Sequence, residues 1–214
     1  MRKTFVSILV LSIATILIAY VPTPARSSPT SIEVIPLSTE AMLDEFLIVN
    51  ITVNDVTDLY LWMFRLSWNK TVLQLNSINE EAFLEKEGGT TSGIMLSPSI
   101  SEINDIGRIE EAACSLVGVV PGVNGSGTIA TLNFTCLSIG STSLEFWEES
   151  PLHEPKSDLL NSDGESVLHT TLPATVNVIP EFSGFATLLL LIAISSLMIL
   201  SKKAFRMHAA PEHT

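Results

Sequence analysis

From residue 46 to 53 the apolar side chains Leu47, Val49, Ile51 and Val53 hold one parity, and Asn50 and Thr52 hold the other. A strand sends successive side chains to opposite faces, so this alternation specifies a strand with one buried and one wetted face. Residues 128–136 repeat the pattern, with Ala130, Leu132, Phe134 and Cys136 alternating with Thr131, Asn133 and Thr135. Residues 59–68 are apolar on both parities: Tyr60, Trp62, Phe64, Leu66 and Trp68 on one, Leu59, Leu61 and Met63 on the other. That strand is therefore central, or its second face is covered. Further strands are expected over 32–36, 72–78, 93–96, 108–116, 143–147, 166–171 and 174–179. One short capped helix is expected where Asn79 leads into Glu80-Glu81-Ala82-Phe83-Leu84, with Gly88 and Gly89 behind it. Many short strands separated by Gly, Pro, Asn and Ser turns specify an all-β antiparallel sandwich.

The two ends of the chain follow different rules. Arg2 and Lys3 precede an apolar stretch over residues 5–20, and Ala25 closes a small-residue pattern suited to signal peptidase. At the other end Pro180-Glu181-Phe182 opens an uncharged run reaching residue 200, long enough to cross a bilayer as a helix. Lys202, Lys203 and Arg206 follow at once and mark that end as cytoplasmic. The expected organisation is a signal peptide at 1–25, a β-sandwich ectodomain at 30–179, a transmembrane anchor at 180–200 and a basic cytoplasmic tail at 201–214. It places the protein in the cell membrane as a single-pass chain with its N-terminal domain outside.

Between residues 26 and 181 the sequence carries 22 Asp plus Glu against 6 Lys plus Arg. A field of that sign repels polyanions and excludes nucleic acid as a partner. Four Asn-x-Ser/Thr sequons begin at Asn50, Asn69, Asn124 and Asn133. A glycan cannot be buried, and each of these positions falls on a polar parity or in an expected turn. Cys114 and Cys136 lie symmetrically about the turn 122–127, so in a hairpin centred there they face each other on the core parity. Outside the cell such a pair can oxidise, closing a loop of about 22 residues for roughly 3 kcal/mol. The other outcome is two buried thiols acting as small hydrophobes.

Enzymatic signatures are missing: there is no Gly-x-Ser-x-Gly elbow, no His-Glu-x-x-His, no phosphate-cradling Gly-rich loop and no Cys-x-x-Cys. His153 and His169 stand alone outside the tail. Adjacent acids such as Glu80-Glu81, Glu110-Glu111 and Glu148-Glu149 point to opposite faces of a strand and cannot form an acid/base couple by themselves. Asn161, Asp163 and Glu165, spaced by two around Gly164, offer oxygens to a weak calcium site or make a polar turn. No other cofactor is expected.

Residues 59–75, Leu-Tyr-Leu-Trp-Met-Phe-Arg-Leu-Ser-Trp-Asn-Lys-Thr-Val-Leu-Gln-Leu, resemble the cohesin pattern of a hydrophobic strand, an Asn-led turn and a Val-Leu pair opening the next strand. The Gly125-Ser-Gly-Thr-Ile-Ala-Thr-Leu-Asn-Phe134 stretch, followed by Gly140-Ser-Thr-Ser-Leu-Glu-Phe146, is similar to a later cohesin segment, and Asp163-Gly164 with residues 174–178 resembles its close. The resemblance covers residues 30–179 and implies a jelly-roll sandwich of about nine strands, shared with several carbohydrate-binding modules. In dockerin-binding cohesins polar residues on the strand matching 59–68 help to contact the dockerin. Here Leu59, Leu61, Met63 and Arg65 mark the candidate binding face, with Asn133 expected to project from a neighbouring strand on that same face. The C-terminus resembles an archaeal PEF-type sorting signal, with Pro180, Glu181 and Phe182 as its motif, which implies processing by an archaeosortase; a permanent single-span anchor is the alternative. The expected function is a non-enzymatic surface module for adhesion or scaffolding that recognises an extracellular protein, dockerin-like or other. The alternative is a carbohydrate-binding module acting on extracellular polysaccharide.

Overall fold

A computed structural model describes residues 29–147, 157–181 and 188–198. The elements are β1 (Ser31–Ile35), β2 (Ser38–Met42), β3 (Phe46–Ser67), β4 (Leu73–Glu80), β5 (Met95–Ser97), α1 (Ile100–Ile106), β6 (Arg108–Ser115), β7 (Val123–Cys136), β8 (Gly140–Phe146), β9 (Ser157–Asn161), β10 (Thr170–Leu172) and β11 (Ala174–Ile179). The expected all-β sandwich is what forms.

One strand organises both layers. The 22-residue β3 pairs through its first half with β1 and β7, and through its second half with β6, β8 and β9. Adding the outer partners gives a first layer in the order β10-β1-β3-β7-β4. The second layer runs β2-β11-β8 onto one edge of β3, where β9 continues the same edge, with β6 and β5 on the other. The pairing of β3 with β7 slips between Ile51 and Thr52, between Val53 and Val56, and between Val56 and Leu59. Bulges of this kind bend a strand and sharpen its twist, which lets one chain segment serve two layers. Asp55 and Asp58, at φ 49° and 56°, absorb the turn in the left-handed region, which Asp tolerates better than most residues.

Inward parity fills the space between the layers. Leu47, Val49, Ile51 and Val53 from β3 and Ala130, Leu132, Phe134 and Cys136 from β7 are buried, as the alternation specifies. Trp62, Phe64 and Leu66 supply the second layer's inner face. Trp68, just past β3, meets the Phe134 ring edge-on at 5.0 Å and donates its indole N–H to the Leu73 carbonyl at 3.0 Å. That contact joins the layers with an aromatic pair whose polar group is satisfied.

Three expectations differ from the structure. Residues 79–84 extend β4 to Glu80 and then turn, without forming a helix. The helix is α1 instead, with Ser99 as N-cap, Glu102 returning its carboxylate to Ser99 and Gly107 closing the end at φ 77°. Asn104 on α1 bonds the Leu75 N–H and C=O, each at 2.8 Å, and so covers the open edge of β4. The third difference is Cys114–Cys136: both thiols are free and buried. β6 and β7 are not hairpin partners, since β6 pairs with β3 and β5 while β7 pairs with β3 and β4. Cys114 therefore lies beside Trp62 in one layer and Cys136 beside Leu73 in the other.

The terminal expectations fall mostly outside the described residues. The signal peptide at 1–25, Phe182, His153, Glu148-Glu149 and the basic cluster Lys202, Lys203 and Arg206 all lie there. Residues 188–198 are helical with leucines exposed to the surroundings. Among the described residues no helix is long and apolar enough to cross a membrane.

Candidate functional site

The outer face of the second layer is built by β5, β6, β3 and β9. In register, Met95 opposes Ala113, Ala113 opposes Met63, and Met63 opposes Asp158; one row along, Ser115, Leu61 and Leu160 line up. These side chains share the outward parity because their neighbours Trp62, Cys114 and Leu159 point into the core. Leu61, Met63 and Leu160 are half-buried, and Met95 on the edge strand is 54% exposed. The result is a mainly apolar patch across four strands, with Ala113 buried at its centre and Asp158 and Ser115 as its polar members.

The candidate face read from sequence needs correction at both ends. Leu59 is fully buried, because a bulge between Leu59 and Leu61 resets the parity of β3. Arg65 is 6% exposed, at a second slip between Phe64 and Leu66. Its guanidinium lies 5.8 Å from the Trp147 ring centroid, while that of Arg108 stacks closer, at 4.5 Å. Trp147 in turn donates its indole N–H to the Ile109 carbonyl at 3.0 Å. Leu61 and Met63 remain, and the edge residue Met95 and cross-strand Leu160 join them. The additions come from pairing with strands distant in sequence.

Asn133 is on the other layer. It sits opposite Ile48 on β7, facing outward beside Asn50, Asn76, Thr131 and Thr135. Thr131 donates to Asn50 Oδ1 at 3.0 Å, and Asn76 donates to Asn133 Oδ1 at 3.2 Å. Phe46 and Ile48 stand on the same parity, 69% and 58% exposed. Asn69 and Asn124 lie at the layer ends, in the β3–β4 turn and at the start of β7.

At the crossing between the layers Asp58 accepts the Gly122 N–H at 2.6 Å through one oxygen. Through the other it accepts the Ser162 hydroxyl at 2.7 Å and the Ser162 N–H at 3.2 Å. Its own N–H donates to Asn124 Oδ1 at 3.0 Å. Bonds from Ser162 and Gly122 hold the Asp58 carboxyl below the ordinary aspartate value. A side chain on Gly122 would put its Cβ 2.3 Å from the Asp58 backbone, so only glycine fits.

Chemically reactive groups are spoken for. Asn161 Oδ1 accepts the N–H of Asp163 at 3.1 Å and of Glu165 at 2.7 Å, which makes the segment a polar turn. No group of three or more His, Cys, Asp or Glu is placed to hold a metal among the described residues. His169 bridges Ser157 Oγ and the Val167 carbonyl, each at 2.7 Å. Burial, and then the Glu80 carboxylate that its thiol meets at 3.1 Å, push Cys114 up to about 11. Burial, with a smaller effect from Glu45, also raises Cys136. Both thiols stay protonated at neutral pH and are poor nucleophiles.

No family model matches the chain, and no curated protein matches it significantly in sequence. Solved structures do match. The non-cellulosomal cohesin of the hyperthermophilic archaeon Archaeoglobus fulgidus superposes at TM-score 0.52 and 14% identity, over 75% of this chain and 98% of that one. The sixth cohesin of Acetivibrio cellulolyticus scaffoldin B, solved with the Cel5 dockerin, gives 0.54 at 11% identity, over 71% of this chain and 100% of that one. A type I cohesin–dockerin complex from Clostridium thermocellum gives 0.53 at 11% identity, over 71% and 100%. The sandwich is cohesin-like in fold.

Proposed function

We propose that this chain is a non-catalytic, exported binding module, tethered to the membrane through its C-terminal segment, whose second-layer face takes an extracellular protein partner of the dockerin-like kind. The observation that carries this reading is the apolar patch of Leu61, Met63, Leu160 and Met95 around the buried Ala113, with Asp158 and Ser115 as its polar members, ending at the edge strand β5. An apolar patch on an otherwise acidic surface is suited to burying a helical partner. The neighbours solved with dockerins bound support it by analogy of fold. The sorting motif at Pro180, Glu181 and Phe182 adds processing by an archaeosortase to the same proposal.

Polysaccharide is the second reading. It needs exposed aromatic platforms. Trp62 and Trp68 are in the core, and Trp147 is stacked under Arg108, which leaves Phe46, on the opposite layer, as the one strongly exposed ring among the described residues.

The test is direct binding of the full-length protein, in detergent, to a panel of dockerin-type modules and a panel of polysaccharides. A protein partner whose affinity falls at least about tenfold with Leu61→Glu plus Met63→Glu supports the proposal, since charges there would be desolvated in the complex. Retention on polysaccharide alone, unchanged by that pair, overturns it.

A further inference from the structure

The four sequon asparagines have a common hydrogen-bond arrangement. Asn50, Asn69, Asn124 and Asn133 each accept a bond at Oδ1, from Thr131, Thr71, Asp58 and Asn76 respectively. None of the four donates through Nδ2 among the described residues, and Nδ2 is the atom to which an N-linked sugar is joined. Of the asparagines that begin no sequon, Asn54, Asn76 and Asn104 donate through Nδ2, whereas Asn161, like the four, only accepts at Oδ1.

Their placement is lopsided. Asn50 and Asn133 stand in the middle of the first layer's outer face, and Asn69 and Asn124 at the ends of the sandwich. The outward row on β5, β6, β3 and β9 contains no sequon. On the first layer, Ile48 is directly opposite Asn133 and Phe46 opposite Thr135, while Asn50 follows Ile48 by two residues on the same face. Opposed side chains of an antiparallel pair are about 5 Å apart at Cβ. An exposed phenylalanine and isoleucine thus sit within reach of anything attached to either asparagine.

We propose that Asn50 and Asn133 carry N-linked glycans that lie over Phe46 and Ile48, covering the first layer and leaving the second layer bare for the partner. The inference rests on the export reading. In the transfer step a sugar on a polyprenyl phosphate or diphosphate carrier loses its C1–O bond to the carrier. Nδ2 forms the new bond to C1 and gives up one proton, and the carrier leaves with the bonding pair as its phosphate. The apolar CH faces of the first sugars then cover the two hydrophobic side chains, and the flanking threonines and Asn76 supply hydrogen bonds to hydroxyls.

The experiment is glycopeptide mapping of the protein isolated from its own cells, beside an N50Q/N133Q variant made in those cells. Sugar at both Asn50 and Asn133 is expected. Loss of both sugars should raise the fluorescence of an apolar-surface dye about twofold. Adding F46S and I48T to that variant should return the signal to the starting level. Sugar at Asn69 or Asn124 with Asn50 and Asn133 bare overturns this inference alone. All four bare overturns it while leaving the export reading standing, since an exported chain need not carry sugar. A dye signal unmoved by removing both sugars overturns the covering role.

Discussion

The two outer faces of this sandwich share one core and have opposite chemistry. On the first layer Thr131, Asn133, Thr135, Asn50 and Asn76 hydrogen-bond across strands, with Phe46 and Ile48 the apolar exceptions. On the second layer the corresponding row is Leu61, Met63, Ala113, Leu160 and Met95. Both rows are outward parity on strands whose inward parity is mostly apolar, with Ser157 and Glu80 the polar exceptions. The fold requires only the inward parity. What differs outside is therefore free to record function, and the second layer's face, where Leu61, Met63, Leu160 and Met95 outnumber the polar Asp158 and Ser115, is the more apolar of the two.

The comparison predicts equal cost inside and unequal consequence outside. Phe134→Ala in the first layer and Trp62→Ala in the second should each cost about 3–5 kcal/mol, because each removes a fully buried ring from one shared core. Denaturant unfolding of the two variants checks this. Two unfolding transitions, one per layer, would break the picture of a single core joined through β3.

Next in size is the crossing itself. Gly122→Ala should cost about 1–3 kcal/mol, as the new methyl has backbone on its only free side. The same junction carries a pH dependence. Asp58 has its carboxyl lowered in the folded state, so its contribution is fully present above the ordinary aspartate value of 3.8 and is lost as pH falls below it. Asp58→Asn should lower stability at neutral pH and flatten the acid limb of the stability profile. An unchanged acid limb would mean that the Ser162 and Gly122 bonds do not hold the carboxylate in solution.

Much of this architecture is readable from period-two alternation, and the failures have physical causes. Residues 49–53 and 130–136 announce their buried faces because each alternates, although Phe46, Ile48 and Ile129 break the pattern just before them. β2 does not, since Ala41 alone of its five residues is buried, at a sheet edge. Residues 54–58 look like a turn, Asn-Asp-Val-Thr-Asp, yet β3 continues through them by bulging, and the parity of everything after is shifted. A further bulge, between Leu59 and Leu61, is what leaves Leu59 facing inward ahead of Trp62. α1 had a visible signature in Ser99 and Glu102 with Gly107 beyond, but it is only seven residues long and buries one of its three isoleucines. The cysteine pairing failed for a different reason: symmetry about a turn implies contact only if the flanking strands are neighbours, and strand pairing is a long-range property. Of the candidate face, Leu61 and Met63 were visible, whereas Met95 and Leu160 enter through that same long-range pairing.

The thiols give a finer test of the shared core. Cys114 is held up to about 11 by burial and by Glu80, and Cys136 is raised by burial. Neither should react with an alkylating reagent at neutral pH unless the sandwich opens, so modification should follow unfolding and require no reductant. Cleavage of a disulfide by reductant before alkylation would contradict the separation of the two residues into different layers.

The smallest effect is the most telling for function. Leu61→Glu and Met63→Glu each replace a half-buried apolar side chain, and Met63 lies opposite Asp158, so each should cost about 1 kcal/mol. Ile48→Thr, at an exposed position on the other layer, should change stability by within about 0.5 kcal/mol. Costs this small leave every variant folded, so binding separates the two faces where stability does not. A partner-binding loss confined to Leu61→Glu and Met63→Glu, in proteins that remain folded, assigns recognition to the second layer. If Ile48→Thr weakens the same partner as much, the two faces are not divided in labour, and the apolar row on β5, β6, β3 and β9 is only a tolerated patch of surface.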